Sequence, residues 1–248
     1  MEAISATAQT RLVKPVMRQA WRDLTFLHWR FAPEMVRPLV PPQLQLDLWD
    51  GAAWVGLVPF AIEGLTHPRA PVIPWISNFL ETNVRTYVVD REGRRGVWFF
   101  SLDAARLAAV IGARTAYALP YFWARMSLER EGPAVRYQSR RIGPKPWGCD
   151  VSVRAGATIR AASDLELFLT ARFRLFAERW GTLRYAQIEH APWPLQEAQV
   201  VRLRENLLEA AGLPSPVGDP LAHFSERLEV TVGWPQLLRG APSRVRLR

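Results

Sequence analysis

Short apolar segments separated by turn residues divide the first third of the chain into β-type elements. Residues 16–28 are apolar and aromatic, and residues 33–37 predict a short helix that opens on a proline. Two further apolar segments, 44–49 and 52–60, flank Asp50-Gly51, a dipeptide that strongly favours a two-residue hairpin turn. We therefore expect two strands joined as a hairpin across Asp50-Gly51.

The remaining two thirds continue the same pattern. Three more hairpins are predicted, pairing residues 79–89 with 97–102, 124–129 with 134–141, and 172–177 with 183–188. Extended segments are expected at 150–161 and 227–232. Helices are expected at 103–114, where Ala104, Leu107, Ala108 and Ile111 have helical spacing, after the capping box of Ser163 and Glu166, and at 205–211 before Gly212. About ten strands and three or four short helices indicate an α+β, mainly β fold.

Composition favours one folded domain over residues 1–248, with loosely ordered tails at about 1–14 and 241–248. Hydrophobic residues make up 49% and charged residues 22%, values that are ordinary for a globular protein. No apolar stretch reaches the roughly 18 residues that a membrane span requires. The first ten residues lack the basic start and apolar centre of a signal peptide. We therefore expect a cytoplasmic protein without a membrane partner.

The net charge of +9 does not by itself indicate nucleic-acid binding. Lys14 and Lys145 are the only lysines among 32 basic residues, and the arginines are scattered along the chain without a block of like charges. Arg244, Arg246 and Arg248 form a short basic end. No nucleic-acid partner is predicted.

One strand face carries the candidate chemistry. With the two-residue period of a strand, Glu81, Asn83, Arg85 and Tyr87 share one face. The ordinary interpretation is a solvated face with a cross-strand ion pair. The partner strand at 97–102 is strongly apolar, however, and such a strand is usually covered on both sides. This favours the alternative, in which the four side chains line a polar pocket. The proline-rich loop at 66–74 is long enough to cover a pocket mouth.

Other reactive residues give weaker signals. His28 lies among aromatic residues and is expected in the core, and with His67, His190 and His223 it shows no metal-ligand spacing. Cys149, the only cysteine, is expected to be a small partly buried residue. Nucleotide, dinucleotide and serine-hydrolase motifs do not occur, so we predict no metal and no cofactor. The aromatic segment 117–123 suits either core packing or an apolar ligand wall.

Several longer motifs together resemble the bacterial YqjF-like family (domain-of-unknown-function family 2071). The resemblance spans residues 16–234 and rests on His28-Trp29, the segments 37–42, 54–60, 83–87 and 96–103, Leu119-Pro120-Tyr121 and the segment 190–193. That family is in turn distantly similar to the acetoacetate decarboxylases. The resemblance implies an acetoacetate-decarboxylase-like conical β-barrel with a polar interior site and a few short helices.

The same resemblance argues against one reaction. The decarboxylases carry a pair of lysines, one of which forms a Schiff base with the keto acid. At the matching place this chain has Pro120-Tyr121-Phe122, and Lys14 and Lys145 are not evident replacements. Glu81 is aligned with an active-site glutamate of those enzymes. The resemblance thus implies a similar cavity without Schiff-base decarboxylation.

The leading hypothesis is a pocket for a small organic acid or carbonyl compound. Arg85 is expected to pair with a carboxylate or enolate oxygen. Glu81 and Asp103 are candidate acid/base groups. The ligand is expected to be oriented by Asn83, Tyr87, Ser101 and Tyr121. Two alternatives stay open: a non-enzymatic assembly protein whose Trp- and Pro-rich loops form a homodimer surface, and decarboxylation through Lys145.

Overall fold

A computed structural model describes residues 1–73 and 77–238, so the basic end and Pro74 lie outside the described residues. Thirteen strands are present in this part of the chain, together with four short α-helices and a 3-10 turn at Arg37–Leu39. The strands are β1 (Pro15–Phe31), β2 (Gln45–Leu46), β3 (Ala53–Thr66), β4 (Phe79–Val89), β5 (Arg95–Ala104), β6 (Tyr121–Glu131), β7 (Ala134–Arg141), β8 (Gly148–Thr158), β9 (Arg174–Arg179), β10 (Thr182–His190), β11 (Gln196–Glu205), β12 (Leu221–Gly233) and β13 (Gln236–Leu237). The helices are α1 (Pro33–Val36), α2 (Leu107–Ala116), α3 (Asp164–Thr170) and α4 (Leu207–Ala210).

All thirteen strands belong to one sheet that closes on itself. The strand order is β13-β10-β9-β5-β6-β7-β8-β11-β12-β1-β3-β4-β2, and additional pairings join β4 to β5 and β10 to β12. Two closed rings result, and both contain β12, β1, β3, β4 and β5. The predicted mainly β fold with a few short helices is confirmed. None of the described helices has the length and apolar character needed to cross a membrane.

Strands β3 and β4 are buried on both faces over most of their length, because each ring encloses its own hydrophobic core. Alternate residues of β3 divide between the two cores: Val58 and Phe60 pack in one, and Val55 and Leu57 in the other. We call the first the cavity core and the second the closed core. In β4, Phe79 and Tyr87 belong to the cavity core, whereas Val84 and Val88 belong to the closed core.

Three of the four predicted hairpins are confirmed, and the structure corrects the fourth. Asp50 and Gly51 do adopt the positive φ of the expected turn, at 49° and 69°. Beyond the single bridge between Trp49 and Ala52, however, the segment before the turn does not pair with β3. Its residues Gln45–Leu46 pair instead with Val88 and Val89 of β4. The turn was predicted correctly, but the hairpin was wrong.

The helix after β5 also differs from its prediction. It begins at Leu107, because the residues up to Ala104 still belong to β5. Leu107 and Ile111, expected on the buried side, are 44% and 55% exposed. The capping box of Ser163 and Glu166 is confirmed at the start of α3. At the N-terminus, in the segment expected to be loose, the Glu2 carboxylate binds Arg174 and accepts a hydrogen bond from the Arg95 amide.

Gly148 provides a test of the close packing between β7 and β8. A Cβ atom at this position would lie 2.0 Å from the carbonyl oxygen of Ser139, which belongs to the neighbouring strand and cannot rotate away. Gly148→Ala is therefore expected to lower the free energy of unfolding by at least about 2 kcal/mol, as overpacking of this kind does. Gly143→Ala is the matched control, since nothing lies within 4 Å of its Cβ position. Urea denaturation that shows equal stability for the two variants would contradict this register.

Candidate functional site

The cavity core contains a cavity of about 380 Å³. Strands β1, β3 and β4 form one side, and α2, β5, β6 and β10 contribute to the rest. Most of its lining is apolar. Polar groups reach it from Gln19, Glu81, Asn83, Arg85, Tyr117, Tyr121, Thr170, Arg172 and His190. A shallower depression on the outer surface, beside Arg22 and Trp123, contains none of the residues expected to bind a ligand.

Strand β4 presents its polar face to this cavity. Glu81, Asn83 and Arg85 line it, and each is at most 7% exposed. Tyr87, next on the same face, is fully buried below them; its hydroxyl donates a hydrogen bond to the Leu169 carbonyl at 2.6 Å and also contacts His28 Nε2 at 2.6 Å. Tyr87 therefore supports the floor of the site without lining the cavity. The solvated-face interpretation is excluded by this burial.

Arg85 is a buried cation without a carboxylate partner among the residues that the structure describes. Its guanidinium donates one hydrogen bond, from Nη2 to the Leu169 carbonyl at 3.2 Å. Its Nε–H is buried and has no partner. The guanidinium carbon lies 5.4 Å from the ring centre of Phe26 and 5.7 Å from that of Tyr87. These rings offset part of the charge through cation–π attraction.

Arg172 shows the contrasting arrangement. Its Nη1 donates to Asp47 Oδ2 at 2.6 Å, and its Nε donates to the Phe168 carbonyl at 2.7 Å. Asp47 also binds Arg95, so the carboxylate is shared by two arginines. Arg172 Nη2 lacks a partner, and this residue too lines the cavity. Two arginines, each with one unpartnered buried N–H group, thus line the deep end of the cavity.

Glu81 and Tyr121 form a hydrogen-bonded pair. The Tyr121 hydroxyl donates to Glu81 Oε2 at 2.7 Å, and both residues line the cavity. Burial raises the pKa of Glu81 to about 7, although the hydrogen bonds from Tyr121 and Asn83 act in the opposite direction. Burial and the neighbouring Glu81 raise the pKa of Tyr121 well above its ordinary value. Glu81 can therefore exist in either protonation state near neutral pH.

Asp103 and Ser101 lie on the opposite face of the sheet, which corrects their assignment to the ligand site. Val84 pairs with Ser101 but the next residue, Arg85, pairs with Phe99, so β5 contains one extra residue here. Such a bulge moves the residues beyond it to the other face. Leu102 therefore enters the cavity instead of Ser101.

The carboxylate of Asp103 has partners of its own in the closed core. It accepts hydrogen bonds from Arg141 Nε at 2.7 Å and from Ser139 Oγ at 3.0 Å. Burial raises the pKa of Asp103 despite these contacts. An acid/base role on a ligand in the cavity is therefore wrong for Asp103.

Some cavity residues were not assigned to the site from the sequence. His190 is one of them: its Nδ1 lies 2.7 Å from the Ala191 carbonyl, and burial lowers its pKa. Trp21 and Trp193 stack at 5.7 Å between ring centres and line the same region. The segment His190-Ala-Pro-Trp193 was noted as a motif, but a short aromatic motif cannot indicate which side of a closed sheet it covers.

The other histidines stay in structural positions. His28 is buried as expected, and its pKa is lowered well below the ordinary value, first by burial and then by the charge of Arg85. His223 contacts Glu166 in the capping box at 3.1 Å. Within the described residues, no group of three or more His, Cys, Asp or Glu side chains is placed to hold a metal ion. Neither Lys14 nor Lys145 lines the cavity.

Sequence comparison finds a family relationship over most of the chain. Residues 18–229 match the model of domain-of-unknown-function family 2071, described as an uncharacterized conserved protein. The uncharacterized protein YqjF of Bacillus subtilis (strain 168) is 40% identical over 222 residues, which cover 89% of this chain and 91% of that protein.

Structural comparison finds the same fold in distant proteins. The enduracididine biosynthesis enzyme MppR, complexed with pyruvate, aligns with a TM-score of 0.65 at 12% identity and covers 92% of each chain. Acetoacetate decarboxylase from Legionella pneumophila aligns with a TM-score of 0.62 at 14% identity, over 93% of this chain and 91% of its own. An acetoacetate decarboxylase-like enzyme from Sphingomonas wittichii RW1 aligns with a TM-score of 0.63 at 15% identity, over 93% and 96%. At these identities the likeness shows the fold alone.

The raised pKa of Glu81 predicts how stability changes with pH. The folded state holds the Glu81 proton up to about pH 7, whereas the unfolded chain releases it near pH 4.5. Glu81 therefore contributes to the stability of the folded state at low pH, and this contribution is lost as the pH rises through 7. Between pH 5 and pH 8 the free energy of unfolding is expected to fall by about 2 to 3 kcal/mol more in the wild type than in Glu81→Gln.

Urea denaturation of both proteins at the two pH values measures this difference. Glutamine keeps an oxygen that can accept the Tyr121 hydrogen bond but cannot ionise, so other titrating groups contribute equally to both curves. An identical pH dependence for Glu81→Gln and the wild type would show that Glu81 ionises normally.

Proposed function

The chain belongs to domain-of-unknown-function family 2071, the YqjF-like proteins, and we propose that it binds a small organic acid or carbonyl compound in the cavity core. The carboxylate of the ligand pairs with Arg85 at the deep end. Glu81, Asn83 and Tyr121 face the ligand further along the cavity. The reaction, if the protein catalyses one, does not use a Schiff base.

The observation that carries this proposal is the unpaired charge of Arg85. Removing a charged group from water costs several kcal/mol unless a counter-charge and hydrogen bonds replace the lost hydration. Arg172, equally buried, has Asp47 as its counter-charge. Arg85 has no such partner among the described residues, its Nε–H is buried without a partner, and its side chain lines the cavity. A ligand carboxylate supplies the missing counter-charge and accepts hydrogen bonds from the guanidinium in the geometry that arginine favours.

Glu81 and its neighbours suit an oxygen-bearing ligand. With a pKa of about 7, the Glu81 carboxyl can donate a hydrogen bond when protonated and accept one when ionised. The Asn83 Oδ1 atom is buried without a partner and can accept a hydrogen bond from a ligand hydroxyl. A carbonyl or hydroxyl group on the ligand therefore has both donors and acceptors within reach.

Schiff-base chemistry lacks its nucleophile in this cavity. Tyr121 occupies the place at which the resemblance to the decarboxylases expects a lysine, and it is hydrogen-bonded to Glu81. Lys145 lies over the ring of Trp147, 5.3 Å from its centre, and does not line the cavity. MppR in its pyruvate complex shows that a protein of this fold can hold a small keto acid. That precedent supports the ligand class and not a shared reaction.

Arg85→Met tests the proposal directly. Methionine keeps an unbranched apolar side chain near Phe26 and Tyr87, which ends about where the arginine Nε lies, and removes the charge. Binding of butyrate, measured by calorimetric titration, is expected to weaken at least about tenfold, because a charge-assisted hydrogen bond is lost. The free energy of unfolding is expected to stay the same or to rise by about 1 kcal/mol or more, since an uncompensated buried charge is removed.

Arg172→Met is the matched control for that experiment. It removes a buried arginine whose partner Asp47 then keeps only Arg95, so it is expected to lower the stability of the protein. Unchanged butyrate binding in Arg85→Met, or a loss of stability equal to that of Arg172→Met, would assign Arg85 a structural role and contradict the proposed function.

Borohydride trapping tests the absence of Schiff-base chemistry. When the protein is incubated with acetoacetate and sodium borohydride, mass spectrometry is expected to find neither Lys14 nor Lys145 modified. A reduced adduct on Lys145 would overturn this part of the proposal and revive decarboxylation through that residue.

A further inference from the structure

The cavity has a direction, with Arg85 at one end and α2 at the other. Phe79, Glu81, Asn83 and Arg85 follow one another along the cavity face of β4. Arg85 lies six positions after Phe79, which corresponds to about 20 Å along the strand at the usual rise per residue. Ala104, at the end of β5, pairs with Glu81, and α2 begins at Leu107. The helix therefore lies at the end of the cavity that is far from Arg85.

Small residues form the cavity face of α2. They recur at helical spacing and are Ala108, Ala109, Gly112, Ala113 and Ala116. Nothing lies within 4 Å of the position that a Cβ atom of Gly112 would occupy. Ala108 and Gly112 are themselves exposed, so the helix leaves the far end of the cavity open instead of filling it.

Between these two ends the wall is apolar on most sides. It includes Val58, Phe60, Val97, Phe99, Leu102 and Leu119. A ligand as small as acetate would neutralise Arg85 but leave this surface uncovered. A long apolar body would cover it and displace water, at a gain of roughly 25 cal/mol for each Å² of apolar surface buried.

We propose that the ligand is a monocarboxylate with an extended apolar body, such as a medium-chain alkyl or arylalkyl acid, whose carboxylate binds Arg85 and whose tail extends along the apolar wall toward the small-residue face of α2. This inference rests on the proposed function and adds the chemical class of the ligand. A second carboxylate on the tail is disfavoured, because it would lie near the buried Glu81, itself an acid.

A series of four probes tests the chain-length dependence: acetate, butyrate, octanoate and octylamine, each titrated calorimetrically into the whole protein. Octanoate is expected to bind at least about tenfold more tightly than butyrate, because each buried methylene strengthens binding up to about fourfold, the factor equivalent to 0.8 kcal/mol. Octylamine, with the same tail and the opposite charge, is expected not to bind. The fluorescence of Trp21 and Trp193, which line the cavity, gives a second readout.

Gly112→Phe locates the tail. The new ring has room to enter the cavity, and replacement of a glycine inside a helix also favours the helix, so the variant should fold. The ratio of octanoate to butyrate affinity is expected to fall at least about threefold, since the ring takes the place of several buried methylenes. Ile111→Phe, on the exposed side of the same helix, is the matched control and is expected to keep the wild-type ratio.

The outcomes separate this inference from the proposed function. Equal affinities for acetate, butyrate and octanoate, all lost in Arg85→Met, would overturn the extended tail and keep the carboxylate site. If the ratio of octanoate to butyrate affinity is the same in Gly112→Phe and in the wild type, the placement of the tail near α2 is overturned. Failure of every acid to bind, or equal binding of octylamine, would contradict both.

Discussion

Strand β4 is covered by protein on both faces, and the chemistry of the cavity depends on this constraint. The strand is shared by two closed rings of the sheet, so its alternate residues enter two different cores. Polar groups on such a strand cannot rely on bulk water and must find partners inside the molecule. Glu81 and Tyr87 have them, whereas the guanidinium of Arg85 is left with one backbone carbonyl. The guanidinium that lacks partners therefore lies on the face of β4 that borders the cavity.

The two cores differ in whether a buried charged side chain has a counter-charge. In the closed core, the buried carboxylate of Asp103 has a counter-charge in Arg141 and a further hydrogen bond from Ser139. In the cavity core, Arg85 faces open space that α2 does not fill. A protein gains no stability from an unpaired buried cation. Such a group is therefore explained better by binding than by folding, as strained or unsatisfied groups at functional sites generally are.

The sequence predicted the polar face of β4 that lines the cavity, but not the other residues that line it. Period-two alternation placed Glu81, Asn83 and Arg85 on one face, and the apolar partner strand indicated that this face is covered. The bulge in β5 that turns Ser101 away adds Phe100 between Phe99 and Ser101 without a glycine to mark it, so no local signal predicts it. The contribution of Arg172 and the small-residue face of α2 depend on contacts between segments distant in the chain, which periodicity cannot reveal.

The most direct test of the account is a crystal structure of the protein grown with octanoate. The account predicts that both carboxylate oxygens lie about 2.7–2.9 Å from nitrogen atoms of the Arg85 guanidinium, the spacing of charge-assisted hydrogen bonds. It also predicts that the alkyl tail points toward α2. A structure in which a carboxylate of the protein itself turns to pair with Arg85, or in which octanoate binds elsewhere, would contradict the central claim.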